Sequence, residues 1–183
     1  MASLTPPDGS TFVRLLREQV GHEFGASQQY VALAVWFDAR DLPRLAAHFY
    51  RQAVEERNHA LMLVQHMLDR DIAVSIPGVP DVRNDFTKPT EPIALALTQE
   101  QAVTDQIEAL FAAARADGDF LGEQFMLWFL KEQVEEVASM RTLLTVAERA
   151  SDDLWQLEDF LAREAVGDGG VDADAPPAAG GAL

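Results

Sequence analysis

The chain has 183 residues, enough for one well-buried domain carrying a tail. Thirty acids against fourteen bases leave a formal charge of -16, which repels nucleic acid and anionic membrane surfaces and attracts cations. Without cysteine there is no disulfide framework and no thiolate metal site, so a bound metal must be held by oxygen and imidazole.

Apolar residues make up 48% of the chain, and Ala, Leu, Glu, Gln and Arg dominate, which favours helix throughout. Residues 1–9, rich in proline and glycine near their end, form a non-helical lead-in. Ser10 or Thr11 can cap a first helix running to about Asp38. Its buried stripe reads Val13, Leu16, Val20, Glu23, Ser27, Tyr30, Ala34 and Phe37. Glu23 is out of place in that stripe.

Arg40-Asp41-Leu42-Pro43 is a short turn, with Asp41 able to cap and Pro43 tolerated in the first helical turn. A second helix continues to about Arg70, antiparallel to the first. Leu45, Gln52, His59 and His66 line it beside Phe49, Glu56 and Leu63. Glu56 and His59, three apart, sit on one helix face that points into the core.

From Asp71 to Pro92 the chain holds Pro77, Gly78, Pro80, Pro89 and Pro92, which exclude a regular helix. Extended chain at roughly 3.3 Å per residue is long enough to cross the full length of a four-helix bundle. The third helix, from about Glu91 to Ala116, is then expected to run parallel to the second. Its seam is Ile93, Leu97, Glu100, Thr104, Ile107, Phe111 and Ala114. Asp117-Gly118-Asp119 breaks the chain before a fourth helix from about Phe120 to Arg149. Its expected seam is Phe125, Phe129, Glu132, Glu136, Ser139, Leu143 and Val146. Ser151-Asp152-Asp153 caps a short fifth helix to about Ala165, and residues 167–183 are expected to form a disordered tail. Residues 10–166 are thus one all-α domain.

Four seams are interrupted by acids at one level. Glu23 faces Glu56 and His59, and Glu100 faces Glu132, Glu135 and Glu136, a pseudo-two-fold arrangement with Glu55 alongside. Bare carboxylates there repel one another and lose hydration. Two or three divalent cations remove both costs, and a carboxylate shared by two of them, as Glu56 can be, sets a pair roughly 3.5–4 Å apart.

His22-Glu23-Phe24-Gly25-Ala26-Ser27-Gln28-Gln29-Tyr30, Phe49 to Ala60, Gln99-Glu100 and Trp128 to Glu136 together resemble the bacterial non-haem ferritins of actinobacteria, over residues 12–165. The resemblance implies a ferritin-like four-helix bundle with one long crossover between the second and third helices and a short fifth C-terminal helix. It implies a ferroxidase centre in which Glu23, Glu56 and His59 hold the first iron and Glu56, Glu100 and Glu136 the second. Glu55, Glu132 and Glu135 match a third, more labile iron site. Gln133 lies beside the second iron, and Tyr30 stands where the family places a redox-active tyrosine. The implied reaction is oxidation of Fe(II) by dioxygen or hydrogen peroxide, with Fe(III) stored as an oxide-hydroxide inside a shell of twenty-four subunits, and an unidentified reductant for release. Acids near the turn before the fourth helix, Asp117, Asp119 and Glu123, are candidates for a three-fold pore.

Bacterioferritin is the nearest alternative. There a haem-ligating methionine follows the bridging glutamate, whereas this chain has Arg57, so no haem is expected. Miniature ferritins lack the fifth helix and place iron between subunits. Di-iron oxygenases carry a second Glu-x-x-His, for which the fourth helix here has only carboxylates. A storage shell without oxidase activity requires lost ligands, and none of the main ones is missing. The N-terminus lacks the features of a secretory signal, and no apolar run approaches the ~20 residues of a membrane span, so a cytoplasmic protein is expected.

Overall fold

The computed structural model describes residues 9–150, 153–164 and 174–183, and within them the regular structure is helical. The elements are α1 (Thr11–Asp38), α2 (Pro43–Asp69), α3 (Thr90–Ala116), α4 (Phe120–Ala150) and α5 (Leu154–Arg163). None of these helices is long and apolar enough to cross a membrane.

Helix α1 starts where Ser10 accepts from the Val13 amide at 3.2 Å. A second donor of its first turn, the Phe12 amide, goes to Asp117 at the far end of α3, 2.9 Å away. Asp117 therefore ties the two helices together. Helix α2 uses a different device from the one its sequence suggests. Asp41 does not cap it: Asp41 sits at φ 57°, a left-handed turn conformation that Asp tolerates. The orphan amides of Arg44 and Leu45 instead meet the buried Glu158 carboxylate of α5, at 3.0 and 2.9 Å. Ser151 and Asp152, expected to cap α5, lie outside the described residues. Asp153 is its N-cap residue without a side-chain cap bond to the backbone.

The crossover from α2 to α3 climbs along α1. Arg17 donates to the Ala73 carbonyl, Pro77 lies over Gly21, Pro80 over Gly25, and Phe86 meets Trp36 edge to face. Gln29 clamps it midway: its amide donates to the Arg83 carbonyl and accepts from the Arg83 amide, both at 2.8 Å. Because this path follows α1 from its start to its end, α3 begins beside the N-terminus of α2 and runs parallel to it.

The core is divided. One apolar cluster holds Phe37, Leu45, Phe49, Ile93, Met140, Leu143 and Leu157; the other holds Phe12, Leu16, Val20, Leu63, Met67, Ile107, Met126 and Phe129. The buried acids lie in the band between them. On α4 the buried row is turned slightly from the expected seam. Met126, Gln133 and Met140 are buried, while Phe125 and Ser139 are half-buried at its edge.

The tail departs from expectation. Residues 165–173 lie outside the described residues, but 174–183 are laid against α2 rather than disordered. The Ala179 amide donates to the Leu61 carbonyl at 3.0 Å, and the Leu183 amide to Asn58 Oδ1 at 3.2 Å. Ala175, Ala178 and Ala179 pack on the second apolar cluster. Small side chains let the tail backbone approach the helix closely enough to use a carbonyl's second lone pair.

Candidate metal centre

Four long helices each deliver a buried carboxylate to the central band: Glu23 from α1, Glu56 from α2, Glu100 from α3, Glu132 and Glu136 from α4. His59 joins them, 2% exposed. Ligand atoms of Glu23, Glu56 and His59 lie within 4.8 Å of one another, as do those of Glu55, His59 and Glu132. Glu100 and Glu136 stand outside both groupings but near enough for their charges to act on Glu56. Glu135 is exposed and is not brought to the cluster.

The cluster has more acceptors than donors. One oxygen each of Glu23, Glu56, Glu100 and Glu136, and Nδ1 of His59, are buried without a protein hydrogen-bond partner. A buried acceptor left bare is costly unless a proton or a cation meets it. The titration behaviour follows. Burial, then the Glu100 and Glu23 carboxylates, push Glu56 well above the usual carboxylate range. Burial, then Glu55 and Glu100, do the same to Glu136. Burial raises Glu100 to about 7, opposed by the hydrogen bond from Tyr30. Burial lowers His59 and keeps its imidazole neutral, with a lone pair to offer. The set of hard oxygens with one imidazole suits iron, manganese or zinc, and a divalent cation can take the place of the protons these carboxyls otherwise retain.

A surrounding layer fixes the carboxylates. The Tyr30 hydroxyl, fully buried, donates to Glu100 Oε1. Gln133, 2% exposed, meets Glu100 and accepts from Thr104 Oγ1 at 3.0 Å. Gln52 donates to Glu55 at 2.6 Å. Gln19 donates to Glu23 Oε1 at 2.9 Å. The rings of Trp128 and Phe129 meet His59 edge to face, each with centroids 5.6 Å away, and hold its plane.

Gln19 lies off the expected seam of α1, and Gln52 stands on that of α2 as a polar residue. Gln19 stands four residues before Glu23 and Gln52 three before Glu55, and both helical spacings bring side chains together. The candidate pore acids are otherwise engaged. Asp117 caps α1, and Glu123 pairs with Arg115. Asp119 pairs with Arg70 at 2.8 Å and caps α4 through the Gly122 amide at 3.0 Å. His66 is a packing residue: it stacks on Phe125 with centroids 3.9 Å apart and meets Arg70 Nη1 at 3.3 Å.

Comparison with known proteins agrees with this architecture. The family model described as a ferritin-like domain matches residues 13–150. The chain is 62% identical over 172 residues to ferritin BfrB of Mycobacterium tuberculosis, covering 94% of each protein. The same protein from another strain of that organism bears the name bacterioferritin BfrB. A bacterial non-heme ferritin of Staphylococcus aureus is 35% identical over 138 residues, covering 75% of this chain and 83% of that one. Among solved structures, an open-pore ferritin from the archaeon Archaeoglobus fulgidus superposes with a TM-score of 0.81. It is 25% identical and covers 86% of this chain and 99% of its own. The fold, the carboxylate-lined centre and these relatives place the chain in the ferritin family.

Proposed function

We propose that this ferritin oxidises Fe(II) at the buried centre of each bundle and stores the Fe(III) as an oxide-hydroxide mineral inside a twenty-four-subunit shell. The observation that carries the reading is the convergence, from four helices, of bare buried acceptors on Glu23, Glu56, His59, Glu100 and Glu136. At neutral pH such a set holds protons or takes cations in their place. Glu23, Glu56 and His59 bind one ferrous ion, and Glu56, Glu100 and Glu136 a second. Glu55 and Glu132 form a further site with His59, a reading supported by ligand atoms within 4.8 Å of one another, and the exposed Glu135 takes no part.

Iron here is substrate. Two ferrous ions give up two electrons to one dioxygen, which takes two protons and leaves as hydrogen peroxide. Water supplies the oxide and hydroxide of the ferric product and releases the protons. With hydrogen peroxide as the oxidant instead, two ferrous ions give it two electrons, it takes two protons, and it leaves as two waters. The protein's own part is to bind, orient and exclude bulk water. Tyr30 and Gln133 hold Glu100, Gln19 holds Glu23, and apolar clusters close the band on either side. The formal charge of -16 raises the local concentration of ferrous ion around the particle.

We hold this ferritin to be free of haem, because the residue after Glu56 is the exposed Arg57, which cannot ligate haem iron. A strong Soret band in the purified protein overturns that part. The main reading is tested by adding Fe(II) in air and following ferric absorbance for wild type and for Glu56→Ala with His59→Ala. Loss of the fast phase in the variant supports it; equal initial rates overturn the ferroxidase assignment. Elution at monomer or dimer size overturns the shell.

A further inference from the structure

Between α1, the crossover and α3 lies a cavity of about 230 Å³ distinct from the acidic centre. At roughly 30 Å³ per water it has room for several small molecules. Small residues keep it open: Gly21, Gly25 and Ala26 line it from α1, and Ala102 from α3. The crossover rests almost on the α1 backbone there, since a Cβ on Gly21 would stand 3.0 Å from Pro77 and one on Gly25 3.5 Å from Pro80. The two-way bond between Gln29 and Arg83 pins the crossover so that it bridges the space.

The inner end of the cavity approaches the centre. Ala26 and Val103 are buried there, three residues from Glu23 and Glu100 respectively. Gln106, also lining the cavity, accepts from Gln19 Nε2 at 3.1 Å, and the same nitrogen donates to Glu23 Oε1 at 2.9 Å. One glutamine side chain thus separates the cavity from a candidate iron ligand. Gln99, next to Glu100, lines it as well and holds a buried Oε1 without a protein partner. The charged or titratable members, His22 and Asp81, are exposed, and His22 Nδ1 lies 3.3 Å from Gln19 Oε1. The rest of the wall is amide and hydrocarbon. A hydrated cation loses too much hydration to pass such a wall, whereas a small neutral molecule loses little.

We propose that this cavity beneath the crossover is the entry vestibule for the small neutral oxidant, dioxygen or hydrogen peroxide, with Ala102 at its mouth and the Gln19–Gln106 pair at its floor. The inference rests on the ferroxidase reading above. Its test is Ala102→Phe, an exposed substitution that closes the mouth and leaves every candidate ligand in place. In assembled protein with unchanged anaerobic Co(II) binding, KM for oxidant rises about five-fold while the rate at saturating oxidant is kept. Running the assay separately with dioxygen and with peroxide tells which of them uses the vestibule, and a rise for either supports it. Unchanged KM for both overturns the inference while leaving the ferroxidase activity standing. Should wild-type protein oxidise no iron, the ferroxidase reading fails by itself. The vestibule is then judged on metal-free crystals pressurised with dioxygen: gas density beneath the crossover supports it, and density confined to other cavities overturns it.

Discussion

The Tyr30 hydroxyl donates to Glu100 across the interface between α1 and α3, and both groups are fully buried. Glu100 is raised to about 7 even with this bond helping its ionised form. In Tyr30→Phe the carboxylate loses that donor and holds its proton to higher pH. Divalent-cation affinity at neutral pH is expected to fall about three- to ten-fold, consistent with a charge-assisted hydrogen bond worth on the order of 1 kcal/mol or more. Calorimetric titration of metal-free protein with Co(II) checks this, and unchanged affinity rejects it.

The metal-free protein should lose stability as pH rises. Glu56, Glu100 and Glu136 all have folded pKa values above 4.5. Their contribution is fully present below the unfolded value of about 4.5 and is lost as pH climbs through the folded values, about 7 for Glu100. Thermal melts from pH 5 to 8 are expected to show a falling Tm without metal and a flatter profile with Mn(II) or Co(II). Glu100→Gln should remove part of the slope.

His66 acts in the opposite direction. Burial, then the Arg70 charge, lower it to about 4, so its contribution is present above 6.5 and lost as pH falls toward 4. His66→Gln keeps a hydrogen-bond acceptor for Arg70 but does not titrate. Urea midpoints at pH 7 and pH 5 should differ less in this variant than in wild type. An equal difference removes His66 from the account.

Glu158 should behave as the cap of a helix that begins more than a hundred residues earlier. Glu158→Ala leaves the Arg44 and Leu45 amides bare and is expected to cost about 1–2 kcal/mol. Amide exchange at those two positions should accelerate selectively. Asp41→Gly, by contrast, relieves a positive φ and should be neutral or stabilising.

Gly122 is required by Phe12. A Cβ at Gly122 would lie 2.4 Å from Phe12 Cε1, far inside contact distance. Gly122→Ala is expected to destabilise by about 1–3 kcal/mol through overpacking. Phe12→Leu should recover part of that loss in a denaturation double-mutant cycle, because it withdraws the ring. Additive losses would reject the clash as the cause.

How much of this could be read from the chain differs from residue to residue. The four interrupted seams were legible because helical spacing is a local property: an acid at a core position announces itself within its own turn. Glu23, Glu56, His59, Glu100 and Glu136 follow from that rule, and the proline-rich crossover follows from local chemistry in the same way. Glu135, which lay beside the expected seam and entered through the resemblance, faces solvent, because the buried row of α4 is turned toward Gln133 and Met140. So small a turn changes little in sequence pattern and decides which carboxylates reach the band.

What only the tertiary structure decided are the bonds between distant segments. Glu158 caps α2, Asp117 caps α1, Gln106 reaches Gln19, and the last ten residues lie on α2 where composition alone suggested disorder. None of these pairings has a periodicity to read. Each depends on which helix ends and faces the fold brings together, and satisfying a buried amide is a requirement that any nearby oxygen can meet. The sequence by itself determined the helices, most of their buried faces and the acidic band, because helical spacing is local. The assembled bundle chose the partners.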